Sequence, residues 1–188
     1  MRKELPMVLT LIVLIEILSM NTAHADSSTD LISPTDFQAQ PSSIRHVESA
    51  EGHYRLNITT TGKTAQAMLT DANNVVLWQD SLPQEMGPRQ ALLGRNGSAV
   101  LLDEWINIFT DYAIVVISPE GKELAVHSTD DIARFLGRKR SDLASQAKFG
   151  PWMQGLAKVS DSGDVVIIPM GKDIIVVSLK DGTLSFLP

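Results

Sequence analysis

Ala113-Ile114-Val115-Val116-Ile117-Ser118-Pro119-Glu120-Gly121-Lys122-Glu123-Leu124-Ala125-Val126 is the stretch on which the fold turns. Residues 114–117 are all β-branched, which stiffens their side chains and favours a pleated strand. A half-exposed strand would alternate apolar and polar residues, so this unbroken run predicts a strand covered on both faces. Pro119-Glu120-Gly121 then supplies turn chemistry, and a further strand begins at Glu123. Upstream, Asn96-Gly97 is a tight-turn signal before the strand Ala99-Val100-Leu101-Leu102. Downstream, Ser162-Gly163, Val165–Ile168, Ile174–Val177, Lys180-Asp181-Gly182 and Thr183–Leu187 repeat the same order. Gly97 corresponds to Gly163 and Gly121 to Gly182, an imperfect internal repeat. An earlier set comprises Tyr54–Ile58, Ala65–Thr70 and Val75–Trp78, separated by turns at Thr61-Gly62-Lys63 and Asp71–Asn74. The reading is a mainly β fold of three antiparallel three-stranded meanders, arranged as a partial propeller or a sandwich. A closed propeller needs roughly 160 residues in at least four blades, more than the strand-rich region provides.

One helical insertion is expected near residues 129–148. Ser128-Thr129-Asp130-Asp131 has the form of a capping box, Ile132, Phe135 and Leu136 share a face, and Gly137 can end the helix. A second short turn is expected from Ser141, stopped by Pro151.

The N-terminus reads differently. Arg2-Lys3, an apolar run from Met7 to Met20, and Ala23-His24-Ala25 before polar Asp26 form the three parts of a secretory signal peptide, with cleavage after Ala25. The apolar run is shorter than the about 20 residues a membrane span needs. Residues 26–43 are polar and Pro-containing and predict a flexible lead-in, leaving 44–188 as one β-rich domain. The expected location is the bacterial periplasm or cell exterior, without a stable membrane span after cleavage. The chain of 188 residues carries 22 acidic and 16 basic side chains, a formal charge of −6, and no cysteine. That composition rules out disulfides and thiolate chemistry, and it speaks against a nucleic-acid surface.

Chemical motifs are sparse. Neither a nucleophile elbow nor a phosphate-cradling glycine loop occurs, and His46, His53 and His127 lack metal-ligand spacing. No cofactor or metal is expected. Asp103, Glu104, Trp105, Phe109, Asp111 and Tyr112 concentrate carboxylates and scarce aromatics at one loop, the expected binding surface. Asp103 and Glu104 should point to opposite faces of their strand, which argues against their acting as an acid/base pair. Core packing is expected of the three tryptophans, and a solvated helix end of the basic cluster Arg134, Arg138, Lys139, Arg140 and Lys148.

Residues 95–188 resemble a group of uncharacterised bacterial exported proteins. The likeness rests on a strand ending in D-x-W, here Asp103-Glu104-Trp105, on the Glu120-Gly121-Lys122 turn, and on the short acidic-capped helix from Ser128; Trp152 and the final glycine-containing hairpin complete it. The resemblance implies export and a β-rich fold, and brings no activity or catalytic residues. The expected function is a non-enzymatic interaction module that binds a protein or another envelope macromolecule, with an inhibitor or immunity-type role as a specialised form. The alternative is an extracytoplasmic hydrolase built from Asp103, Asp111 and a histidine.

Overall fold

The computed structural model describes residues 42–105 and 109–187. The signal-peptide segment with Ala23 and Ala25, and nearly all of the lead-in, lie outside the described residues. The described chain forms β1 (Ile44–Glu48), β2 (Tyr54–Thr61), β3 (Thr64–Asp71), β4 (Val76–Ser81), β5 (Pro88–Leu93), β6 (Ala99–Glu104), β7 (Ile114–Ile117) and β8 (Glu123–His127). Then follow α1 (Thr129–Phe135), α2 (Arg140–Gln146), β9 (Lys158–Val159), β10 (Val165–Met170), β11 (Asp173–Ser178) and β12 (Leu184–Phe186). The strands make three four-stranded antiparallel sheets, each in sequence order: β1 to β4, β5 to β8, and β9 to β12.

The mainly β architecture with a short helical insertion is therefore the observed one, but each meander has a fourth strand that the sequence reading omits. In every case it is the first: β1, β5 or β9. β1 is a short alternating strand, Ile-Arg-His-Val-Glu, while β5 and β9 are poor in β-formers or very short. β5 opens with Pro88 and continues Arg-Gln-Ala-Leu-Leu, and β9 has only two residues. Tertiary pairing creates them, because the three first strands adjoin, β1 against β5 and β5 against β9. Gln90 cements the second junction: its amide donates to the Ala157 carbonyl at 2.8 Å and its oxygen accepts the Ala157 N–H at 3.2 Å.

The middle sheet, β5 to β8, is covered on both sides. Leu101, Val115 and Ile117 join Leu56, Ile58, Leu69 and Trp78 of the N-terminal sheet in one apolar cluster. Val100, Leu102, Ile114 and Val116 join Val166, Ile168, Ile175 and Val177 of the C-terminal sheet, with Ile132, Leu143 and Trp152, in the other. The fully buried run of β7 follows directly from this position between two sheets. β11 has a similar sequence, yet only Ile175 and Val177 enter a core cluster; Ile174 and Val176 face the other side of an end sheet.

The glycine repeat is explained by how the sheets stack. In the β7–β8 turn, a Cβ on Gly121 would lie 2.9 Å from Trp78 of β4. In the β11–β12 turn, a Cβ on Gly182 would lie 2.2 Å from Ala125 of β8. Both glycines have positive φ, +80° and +74°, and each rests on the last strand of the preceding sheet. The equivalent β3–β4 turn carries Asn74 at φ +61°, exposed, a position where a side chain is tolerated.

The helix start is as expected. The Ser128 hydroxyl accepts the Asp131 N–H and the Asp131 carboxylate accepts the Ser128 N–H, a complete capping box. α1 buries Ile132 and Ala133 and α2 buries Leu143, fastening both short helices to the core between the middle and C-terminal sheets.

Candidate functional site

The expected loop begins where β6 ends, and its first residue departs from ordinary strand geometry. Asp103 has φ +53°, a left-handed conformation that aspartate tolerates better than most residues. Its side chain is 0% exposed. The Trp152 indole donates its N–H to Asp103 Oδ1 at 2.5 Å, linking the middle sheet to the segment that precedes β9. Arg89 of β5 is also buried, and its guanidinium reaches the Trp105 carbonyl at 2.9 Å. A Cβ on Gly150 would come within 2.6 Å of Asp103 Oδ2 and 3.0 Å of Arg89 Nε, so a glycine is needed to close over this pair. Burial pushes the Asp103 carboxyl up to about 8, opposed by the Trp152 hydrogen bond and the Arg89 charge. The same burial lowers Arg89, with Asp103 opposing.

Around this buried knot the loop is tied at both ends. Trp105 N–H donates to the Gly87 carbonyl at 3.2 Å. At the far end Thr129 N–H donates to the Thr110 carbonyl at 3.0 Å, and the Thr129 hydroxyl accepts Thr110 N–H at 3.2 Å. The Arg140 guanidinium lies 4.9 Å from the Phe109 ring centroid, a cation–π contact to α2. Residues 106–108 lie outside the described set.

The six loop residues therefore divide. Asp103 is internal and cannot touch a partner directly. Trp105 and Phe109 are half-buried, while Asp111 is exposed. Glu104 and Tyr112 come together on the wall of a cleft of about 450 Å³, with Lys63 from the β2–β3 turn and Pro83, Glu85 and Met86 from the β4–β5 connection. Glu104 is fixed there, because its carboxylate accepts the Met86 N–H at 3.0 Å. The Gln84 amide, in the same connection, donates to the Tyr112 carbonyl at 3.3 Å. Asp103 and Glu104 thus bond in different directions, one to the core and one to the cleft.

Sequence reasoning missed Arg89, Trp152 as the partner of Asp103, and the entire wall formed by Lys63 and residues 83–86. Arg89 inside a strand with Pro, Ala and Leu is the one local signal, since a charged residue in such a setting needs a buried partner. The remaining wall is assembled by sheet stacking and has no linear signature.

Other candidates resolve into local bonding. His127 Nε2 pairs with the Gly182 carbonyl at 2.8 Å, His46 Nδ1 with Asn57 Oδ1 at 2.5 Å, and His53 lies 3.5 Å from Glu51. Among the basic cluster, Arg134 pairs with Asp131, Arg138 with Asp173 and Arg140 with Asp130. Trp78 and Trp152 are core residues, as expected. Among the described residues no group of three His, Asp or Glu side chains is placed to hold a metal ion, and no helix is long and apolar enough to cross a membrane.

No protein-family model and no curated protein matches the chain. Among solved structures, the crystal structure of a candidate exported protein from Bacteroides fragilis is similar at 9% identity with a TM-score of 0.41, over 76% of this chain. The chain spans 36% of that protein's length.

Proposed function

We propose that the protein is an exported, non-enzymatic β-rich binding module whose contact surface is the cleft at Glu104 and Tyr112, continued by the exposed Asp111. The carrying observation is the cleft itself, whose lining combines three charged side chains, Lys63, Glu85 and Glu104, with the apolar surface of Pro83, Met86 and Tyr112. A lining of mixed charged and apolar groups suits recognition of another macromolecule. Anchoring of the loop at Trp105 and Thr110 lowers the ordering cost of binding. A protein or other envelope macromolecule is the partner class, and an inhibitor or immunity-type role is one form of it. A carboxylate–histidine hydrolase is less well supported, since the cleft lining holds two carboxylates and no histidine. The test is capture of partners from an envelope extract by the wild type, Lys63→Glu and Tyr112→Ala, with quantitative mass spectrometry. The expected result is a defined partner lost at least tenfold in both variants. Equal capture by all three forms contradicts the cleft as the contact surface.

A further inference from the structure

The buried knot next to Glu104 has a property that simple packing does not require. Asp103 is fully enclosed at the end of β6, and its Oδ2 has no hydrogen-bond partner among the described residues. Among the described residues, an ionised carboxyl there has the Trp152 indole N–H on one oxygen and the Arg89 charge to offset its burial, and no donor on the other oxygen. Its Oδ1 holds Trp152, the largest fully buried side chain among the described residues, which sits in the segment between α2 and β9. That segment is fastened locally as well, with Lys148 and Phe149 N–H both donating to the Met153 carbonyl, at 2.8 and 3.0 Å. Gly150 and Trp152 therefore close over Asp103 as one unit.

We propose that Asp103 is a protonation-controlled latch: neutral, it holds the Gly150–Trp152 segment on the end of β6, and its ionisation favours release of that segment from β6.

The groups facing the carboxyl are few. From β5 comes Arg89, the one charged group that acts on it among the described residues. From the covering segment come Gly150 and the non-titrating Trp152, and from the residue before β7 the Ala113 carbonyl, which accepts the Asp103 N–H at 2.9 Å. On its own strand Glu104 turns its carboxylate to Met86 N–H. Residues 106–108 are Ile-Asn-Ile, none of which titrates.

The sign follows from linkage. In the closed state burial raises the carboxyl to about 8, whereas a solvated aspartate returns to the ordinary value of 3.8. Opening therefore releases a proton between those limits, and the opening constant rises about tenfold per pH unit within them and levels off above.

The experiment is exchange of the Trp152 indole N–H followed by NMR from pH 5 to pH 7, corrected for base catalysis. The wild type should show an opening constant increasing about a hundredfold across that range. Asp103→Asn keeps an oxygen for the indole and cannot ionise, so its opening constant should stay flat. A flat wild-type profile, or an equal rise in Asp103→Asn, overturns the latch. Should Asp103→Asn fail to fold, the carboxyl ¹³C shift of Asp103 in the wild type decides: a midpoint near pH 8 supports the proposal and one below pH 5 overturns it.

Discussion

Replacing Gly182 by alanine tests the stacking of the C-terminal sheet on the middle sheet. Two costs combine. The residue sits at φ +74°, where a Cβ costs roughly 1–2 kcal/mol. The new methyl would also lie 2.2 Å from the Ala125 Cβ, and forcing an extra carbon into a packed contact costs about 1–3 kcal/mol. Gly52→Ala separates the two terms, because Gly52 has φ +68° with nothing within 4 Å of its would-be Cβ. Urea unfolding should give Gly182→Ala a loss of about 2–5 kcal/mol and Gly52→Ala about 1–2. Adding Ala125→Gly to Gly182→Ala should recover part of the difference, since the nearest remaining Ala125 atom is the Cα at 3.4 Å. Equal losses in Gly182→Ala and Gly52→Ala, with no rescue, would refute the close approach of the β11–β12 turn to β8.

Three further outcomes are expected. Leu101→Ala and Leu102→Ala, each 0% exposed and on opposite faces of β6, should each lower stability by about 2–5 kcal/mol in urea titration, because both faces of the middle sheet are core. Ser128→Ala should cost about 1 kcal/mol by removing the hydroxyl that caps α1. Asp131, held down to about 2 chiefly by its hydrogen bonds to Ser128, contributes stability present above pH 4 and lost as pH falls towards 2; acid unfolding of Ser128→Ala should lose that dependence in part.

What could be read from the chain follows the range of the interactions involved. Residues 114–117 announce a two-sided strand because β-branching and continuity are local properties, and Ser128 with Asp131 announces a helix start because the capping bonds span three residues. Gly121 and Gly182 were visible as turns, but not as contacts, since Trp78 and Ala125 approach them only when the sheets stack. β1, β5 and β9 were missed for the same reason: their order comes from neighbouring strands rather than from their own residues. At the site, the aromatic and acidic loop was legible as a concentration of unusual residues. Its division into a buried Asp103 and a cleft-facing Glu104 was partly foreseen by strand alternation. Arg89 comes from the neighbouring strand β5, Trp152 from the segment before β9 and Lys63 from the β2–β3 turn, and no spacing links them to Asp103.

Site-specific photo-crosslinking in the intact envelope tests the binding reading most directly. A photoreactive residue at Tyr112 or Lys63 lies in the cleft, and one at Gln66 lies on the outward face of the N-terminal sheet. One defined crosslinked partner is expected from both cleft positions and none from Gln66. The same adduct formed equally from Gln66, or no adduct from either cleft position alongside one from Gln66, would contradict that reading.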